Sequence, residues 1–377
     1  MKSAPEFGAY PLAPPPAYSR WLASGFALLA LAGVSSRVLR SFLQQDLVGP
    51  VVLMVAGVWG SAFLLRVLRY RLNRHNASVY AQTAQHIERA WWTQHRQQVA
   101  LLESVLLGPQ CSEPAHRSRF FGSYHPMPVA GQLGGGEVLR LPQVFGSDAA
   151  GRESQLARLL AVQWQKQTPD PASLTIQDCY WHGSAETWQA FSEQMSTSCP
   201  HVNLPPLPVV WNGIGTLDSV IDKIQNAPAD TRILCAGCEA AVPVPGAALP
   251  AGEAAVLWVL AAEGHIRFFR GEWAGAGTDA LDAAARRALQ QAEIEGAVPA
   301  CLATSASAIF DMGNMGWSSE RYPIERRFGA LPALGGMVVQ TLAAWRAEMH
   351  GEPCAWLAND SHHTLALGIV EAHDSTT

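Results

Sequence analysis

The chain has 377 residues, of which 49% are hydrophobic and 15% are charged, a charged fraction well below the roughly 25% of ordinary soluble domains. Its formal net charge of −5 leaves no basic excess to neutralise a phosphate backbone, so we expect no nucleic-acid partner. The seven cysteines have no regular spacing, which excludes a disulfide framework and is typical of a reducing compartment.

Two apolar segments near the N-terminus predict membrane helices. Residues 1–20 are proline-rich and predict an extended, mobile arm. The first apolar segment has 16 uncharged residues before Arg37, and the second, 47–65, has 19. A membrane span needs about 20 apolar residues. We therefore predict two transmembrane helices within 21–70; the alternative is one span at 47–65 and an interfacial or buried first helix.

A cluster of four arginines follows the second apolar segment and predicts the orientation of the chain. Positive charge beside a span favours the cytoplasmic side. We expect an inner (plasma) membrane protein whose C-terminal domain is cytoplasmic and whose basic cluster meets membrane lipids. The cluster consists of Arg66, Arg69, Arg71 and Arg74.

The next segment, 71–136, is predicted to form a helical stalk and a linker. Apolar residues between 76 and 107 recur mostly at steps of three or four, which indicates an amphipathic helix. The glycine run 134–136 is not a phosphate-binding loop, because no Lys-Ser or Lys-Thr follows it.

The remainder, 137–377, alternates helix and strand patterns and predicts an α/β domain ending in an antiparallel pair of strands. Helices are predicted at 152–167, 184–195, 216–225, 278–293 and 334–349. Strands are predicted at 138–141, 174–180, 208–211, 232–237, 253–261, 265–271, 300–306, 354–359 and 363–371.

Four stretches in this part resemble the thiolase-like fold of β-ketoacyl synthases. They are GTLDSVIDKIQNAPADTRILCAGCEA (215–240), LPAGEAAVLWVLA (249–261), FGALPALGGMVVQTLAAW (328–345) and CAWLANDSHHTLALGIVE (354–371). The resemblance implies a thiolase-like layered α/β/α domain, preceded here by a transmembrane helical hairpin and the helical stalk. Because such enzymes are often dimers, it also implies a homodimer.

The catalytic residues that the resemblance implies are missing from this sequence. The family uses a cysteine nucleophile at a helix start and two histidines that stabilise the thioester oxyanion. The nucleophile would fall near Asn212 or Gly213, the first histidine within 309–314, and the second at Ala330. None of these positions has the required residue, so we expect a pseudo-ketosynthase.

Other reactive residues are interpreted as structural. Cys235 and Cys238 form a Cys-x-x-Cys sequence at the end of an apolar strand, where redox pairs do not sit. Cys199 and His201 are two residues apart in a loop, a spacing that seldom forms a cysteine–histidine pair. His362 and His363 are adjacent, so in an extended segment their side chains point to opposite faces. No metal site and no cofactor are predicted. A polar loop is predicted to contact a ligand or partner through Asp311, Asn314 and Glu320.

The sequence therefore favours a membrane-anchored, non-catalytic binding or adaptor protein with a protein partner. Residues 86–109 resemble accessory proteins encoded beside bacterial secretion clusters. The alternative hypothesis is a ketosynthase-like acyltransferase with a displaced cysteine nucleophile, either Cys199 or Cys235.

Overall fold

A computed structural model describes residues 5–43, 48–122, 127–168, 174–275, 278–304, 317, 324–360 and 365–373. The chain divides into two compact units, with the boundary between Trp92 and Thr93.

The N-terminal unit contains two long helices, α1 (Tyr18–Leu43) and α2 (Val48–His95). Each contains an apolar stretch long enough to cross a membrane, and α2 runs on well past its stretch. Aromatic rings join the two helices, because Trp21 of α1 contacts Phe63 of α2 at 5.7 Å between ring centroids. The two predicted apolar helices are present, and by length and composition they are candidate membrane spans.

The proline-rich arm is extended, as expected, and hydrogen bonds join it to α2. Asn73 of α2 accepts a hydrogen bond from the N–H of Ala13 at 2.7 Å and donates one to the carbonyl of Pro11 at 3.3 Å. Further along, the Tyr80 hydroxyl donates to the carbonyl of Gly8 at 3.2 Å. The arm therefore lies along α2 in the structure, and its mobility stays a prediction.

The C-terminal unit is a mixed α/β structure. Its strands are β1 (Gln98–Leu107), β2 (Gly131–Leu133), β3 (Gly136–Val138), β4 (Leu174–Thr175), β5 (Asp178–His182), β6 (Val202–Asn203), β7 (Val209–Val210), β8 (Ile233–Ala240), β9 (Glu253–Ala261), β10 (Ile266–Phe269), β11 (Glu272–Ala274), β12 (Ala300–Ala303), β13 (Cys354–Asn359) and β14 (Leu365–Ala372). Its helices are α3 (His116–Phe120), α4 (Ala149–Gln167), α5 (Ala185–Ser198), α6 (Ile214–Gln225), α7 (Thr278–Gln291), α8 (Ile324–Phe328) and α9 (Gly335–His350).

One large sheet organises the described part of this unit. Its strand order is β12-β13-β14-β10-β1-β9-β8-β5-β7, and β11 also pairs with β14. The pairs β12–β13, β8–β5 and β5–β7 are parallel, whereas the pairs from β13 through β8 are antiparallel. The predicted terminal antiparallel pair, β13 with β14, is confirmed.

Helices pack on both faces of the sheet. Because successive residues of a buried strand point to opposite faces, each strand contributes side chains to two cores. On β8, Ile233 and Cys235 join the core around α6 and α9, whereas Leu234 and Ala236 join the core around α4 and α5. A third core lies between α7 and the outer face of β12 to β14. The helices α6 and α9, which we call the inner helices, therefore lie on one face of the sheet, with α4 and α5 on the other, and the predicted layered α/β class is confirmed.

The predicted stalk is wrong at its C-terminal end. The helix stops at His95, and residues Gln98–Leu107 form β1 in the middle of the sheet. Val105 packs toward α4 while Leu106 packs toward α9, so the strand is apolar on both faces. Such a run satisfies helical spacing as well as strand spacing, and periodicity alone does not separate the two. Part of the predicted stalk and linker therefore belongs to the α/β unit.

Candidate functional site

The N-terminus of α6 lies where the resemblance would put the nucleophile. Gly213 precedes the helix with φ of 62° and ψ of −140°, a conformation that favours glycine. The N–H of Ile214 donates to the Asp360 carboxylate at 3.1 Å. A Cβ atom on residue 213 would lie 2.3 Å from Asp360 Oδ2. A side chain at residue 213 and the present position of Asp360 therefore exclude each other.

The backbone of the neighbouring residue Asn212 also has a hydrogen-bond partner in the fold. Its N–H donates to the hydroxyl of Thr216 at 2.7 Å, which closes the turn that leads into α6. The helix begins two residues earlier than predicted, and Gly213 occupies the N-cap position. The Thr216 side chain stabilises the backbone immediately upstream of the helix.

The N-terminus of the second inner helix, α9, has a carboxylate of its own. Glu239, at the end of β8, accepts hydrogen bonds from the N–H groups of Leu334 at 2.7 Å and Ala333 at 3.2 Å. Burial raises the pKa of Glu239, and these two N–H groups oppose that shift by stabilising the charged form. A helix N-terminus attracts negative charge, so Glu239 satisfies the electrostatics of this helix end.

The space between the two helix ends is small. A cavity of about 20 Å³ lies beside Gly213, Gly336, Gln340 and Asp360. A volume of that size holds about one water molecule. An acyl thioester bound between these helix ends would need Asp360 or a neighbouring side chain to move.

A larger pocket of about 380 Å³ opens beside the start of α9. Its size falls in the range of small-molecule sites, which runs from about 300 to 1,000 Å³. The lining is mostly apolar, with Thr304, Glu325 and Asn359 as polar groups. Ala330, the position where the resemblance puts the second histidine, lies in this lining. The apolar lining residues include Leu249, Ile324, Phe328, Leu331 and Val338.

The predicted ligand or partner residues lie outside the described part of the chain. Asp311, Asn314 and Glu320 belong to the segment between Thr304 and Ile324, of which only Trp317 is described. Thr304 and Ile324 both line the 380 Å³ pocket. The described residues on either side of that segment are therefore at this pocket. The pair His362–His363 also lies outside the described residues.

The cysteines are buried thiols without partners in disulfides. Cys235 packs toward α6 and Cys238 toward α5, because residues three apart on a strand lie on opposite faces. Burial raises the pKa of Cys235 well above its ordinary value, and burial also raises the pKa of Cys199. A raised pKa disfavours the thiolate, which is the nucleophilic form. Among the described residues, no group of three or more His, Cys, Asp or Glu side chains could hold a metal ion.

Glu253, the glutamate of the stretch LPAGEAAVLWVLA, forms ion pairs with two arginines. Its carboxylate is fully buried and pairs with Arg152 of α4 at 2.7 Å, with Arg140 at 3.8 Å. Burial raises the pKa of Glu253, and the two arginines oppose the shift. The cluster fastens α4 to the start of β9.

The basic cluster lies on α2, in the N-terminal unit. Arg66 donates a hydrogen bond to the carbonyl of Pro14 at 3.1 Å. The guanidinium of Arg74 lies 6.0 Å from the centroid of the Tyr70 ring. Arg69 and Arg71 are exposed. The four arginines are therefore on one helix segment, and only part of the cluster faces the arm.

Sequence reasoning missed Asp360 and gave only a hint of Glu239. The hint is the acidic residue that ends the buried ILCAGCEA strand. Asp360 directly follows β13 and carries no local signal, since its partner Ile214 is 146 residues away in the chain.

Comparison with known proteins gives solved structures of the enzyme class that the sequence resembles. ChlB3, an acyltransferase, has a TM-score of 0.48 and 15% identity over 73% of this chain and 98% of its own. The priming β-ketosynthase of the R1128 polyketide pathway has a TM-score of 0.48 and 11% identity over 74% of this chain and 98% of its own. Cerulenin-bound OleA from Xanthomonas campestris has a TM-score of 0.43 and 12% identity over 73% of this chain and 97% of its own. No protein-family model matches the chain, and no curated protein matches it in sequence.

Proposed function

We propose that this chain is a membrane-anchored, non-catalytic binding protein with a cytoplasmic, thiolase-like domain that recruits a protein partner. The observation that supports it best is the contact between Asp360 and the N-terminus of α6. A side chain at residue 213 would collide with the present position of the Asp360 carboxylate, and the backbone of Gly213 favours glycine. These two features support a non-catalytic role over the acyl transfer that the resemblance would imply.

The alternative is an acyltransferase that uses Cys199 or Cys235. Both thiols are nearly inaccessible, with 2% and 0% of their surface exposed, and their pKa values are raised by burial. An activated cysteine would react with iodoacetamide near neutral pH faster than free cysteine does. We expect alkylation of these two residues only after unfolding. Rapid alkylation of either residue in the folded protein would support the enzyme instead.

The binding role draws on the 380 Å³ pocket, which Thr304 and Ile324 line, and on the segment between these two residues in the sequence. We place the ligand or partner contact in that segment, on Asp311, Asn314 and Glu320. Ala330 lines the pocket without filling it, so a larger side chain there obstructs the pocket while the backbone pairing of residue 330 is retained.

A matched pair of substitutions tests this role. Ala330→Phe should remove specific partners from a pull-down in detergent extract, because the ring occupies the pocket. Ala247→Phe makes the same change at an exposed position that does not line the pocket and should keep those partners. Identical partner sets for both variants and the unmodified chain would contradict a binding role for this pocket.

The location in the membrane has its own test. A reporter fused after Thr377 should behave as cytoplasmic, because Arg66, Arg69, Arg71 and Arg74 resist translocation. Activity of alkaline phosphatase fused at the same place would contradict that orientation. The resemblance of residues 86–109 to accessory proteins of bacterial secretion clusters supports a partner in such an assembly.

A homodimer is part of the same proposal. The edge strand β7 is short, and its residues Val209 and Val210 are 50% and 67% exposed. Exposed apolar edge strands are natural pairing sites for a second strand. Light scattering of the detergent-solubilised chain should give the mass of a dimer, and Val210→Lys should give a monomer.

A further inference from the structure

A groove runs between the proline-rich arm and one face of α2, inside the N-terminal unit. It has a volume of about 780 Å³ and is walled on one side by residues 11–14. We call it the arm groove. The α2 residues that line the arm groove include Leu65, Arg66, Leu68, Arg69, Leu72 and Asn73.

The α2 side of the arm groove combines apolar surface with positive charge. Its residues form two neighbouring rows, 65-68-72 and 66-69-73, each with steps of three or four, so they share one side of the helix. Leu65 is 65% exposed and Leu68 is 50% exposed, although both are large apolar side chains. Arg66 and Arg69 lie among them, at the end of the apolar stretch of α2. The groove therefore has the mixed character of a membrane interface.

The arm is the second wall of the groove, and Asn73 holds it in place. The Asn73 side chain accepts from the Ala13 N–H and donates to the Pro11 carbonyl. Arg66 donates one of its N–H groups to the Pro14 carbonyl. A guanidinium has five N–H donors, so this contact orients Arg66 and uses one of them.

We propose that the arm groove binds an anionic phospholipid, with the phosphate on Arg66 and Arg69 and an acyl chain along Leu65 and Leu68. Guanidinium groups match phosphate oxygens in a bidentate arrangement, and exposed leucines at the interface favour hydrocarbon. The inference rests on the membrane anchoring in the proposed function. It adds a specific headgroup site to the general attraction of basic residues for anionic lipid.

The rest of the basic cluster provides a matched control. Arg71 and Arg74 belong to the same helix segment and do not line the arm groove. The double variants Arg66→Gln/Arg69→Gln and Arg71→Gln/Arg74→Gln remove the same charge. General electrostatic attraction falls in both, since each basic residue near the surface contributes about 1 kcal/mol, and it falls more for Arg66 and Arg69, which lie nearer the apolar stretch. A difference between the double variants reports the groove when Asn73→Ala, which keeps all four charges, also loses the lipid.

The experiment uses the full chain in vesicles of phosphatidylcholine with a minor share of phosphatidylglycerol. Flotation first establishes that the chain inserts, and native mass spectrometry after detergent extraction then measures retained phosphatidylglycerol. The unmodified chain and Arg71→Gln/Arg74→Gln should retain it. Arg66→Gln/Arg69→Gln should lose retention by about tenfold, as expected when an interaction of about 1.4 kcal/mol is lost. Asn73→Ala, which leaves the charge unchanged, should also reduce retention because the arm wall is released.

The possible outcomes separate this inference from the proposed function. A chain that fails to float with vesicles contradicts the membrane anchor itself. A chain that inserts but loses phosphatidylglycerol equally in both double variants contradicts the groove and leaves the anchor standing. Displacement of the lipid by inorganic phosphate would show a phosphate site without lipid preference and would also overturn the proposal.

Discussion

Asp360 Oδ2 accepts a hydrogen bond from the backbone N–H of Ile214 at 3.1 Å, across 146 positions of the chain. The carboxylate follows β13, and the N–H group begins the inner helix α6. The contact therefore joins distant parts of the α/β unit and puts a negative charge at a helix N-terminus, where the helix dipole favours it. The same contact lies at the helix start where the resemblance would put a nucleophile.

Removing the Asp360 carboxylate should destabilise the α/β unit. Asp360→Ala leaves the N–H of Ile214 without its acceptor, and loss of such a helix cap costs about 1 kcal/mol. Asp360→Asn keeps an oxygen acceptor and should cost less. Urea unfolding monitored by tryptophan fluorescence measures the free energy of both variants. Equal losses for Ala and Asn, or none for either, would contradict the capping role.

Truncation tests the position of β1. A chain that begins at Thr93 keeps β1 and should fold without the two apolar helices, because the C-terminal unit starts there. A chain that begins at Gly108 lacks β1 and should aggregate, because β9 and β10 each lose a central partner. Circular dichroism and gel filtration distinguish the two chains. A folded, monodisperse protein that begins at Gly108 would contradict this topology.

Gly237→Val should be strongly destabilising. A Cβ atom at Gly237 would lie 2.6 Å from His182 Cβ and 2.8 Å from the His182 carbonyl oxygen on the neighbouring strand β5. Overpacking of a core in this way costs about 1–3 kcal/mol. Gly335→Ala is the control, because its Cβ would meet ordinary contacts of 3.8 Å. Thermal unfolding should show a lower Tm for Gly237→Val and an unchanged Tm for Gly335→Ala. An unchanged Tm for Gly237→Val would show that β5 and β8 are not so closely paired.

Asp218 predicts a dependence of stability on pH. Burial raises the pKa of its carboxyl to about 7, with Arg270 opposing the shift and Glu272 adding to it. In the folded state the carboxyl keeps its proton up to about that pH, whereas in the unfolded chain it loses the proton near pH 4. Unfolding between these values releases a proton, so rising pH favours unfolding.

Asp218→Asn should remove that part of the pH dependence, because the amide resembles the protonated acid. The variant should gain stability over the unmodified chain as pH rises from about 4 to 7, and the gain should persist above pH 7. Near pH 4 the two chains should be nearly equal. Urea unfolding at several pH values measures the difference. A gain that is largest at low pH would mean that the sign of the shift at Asp218 is wrong.

Much of the α/β unit could be predicted because its strands are continuous apolar runs bounded by polar turns. β9 and β13 begin and end where the sequence predicts. The strand β1 was mistaken for helix, since Val105 and Leu106 are apolar toward opposite faces and fit either period. The order of strands in the sheet, which places β1 between β9 and β10, depends on contacts that no local pattern encodes.

The site was harder to predict than the fold. The positions that lack catalytic residues, Gly213 and Ala330, could be named from the resemblance. The groups that occupy the helix ends, Asp360 and Glu239, act on residues that are distant in the chain. The contacts of the arm were also missed, because proline indicates extended backbone and says nothing of the hydrogen bonds that Asn73 provides.

Intact-protein mass spectrometry after incubation with acyl-CoA and acyl-carrier thioesters tests the central claim, that the domain does not catalyse acyl transfer. The unmodified chain should keep its mass, because Gly213 offers no nucleophile and the thiols of Cys199 and Cys235 are buried with raised pKa values. A variant with both cysteines replaced by serine should behave identically in partner binding. Stoichiometric acylation of any cysteine in the folded chain would contradict the account and identify the protein as an enzyme.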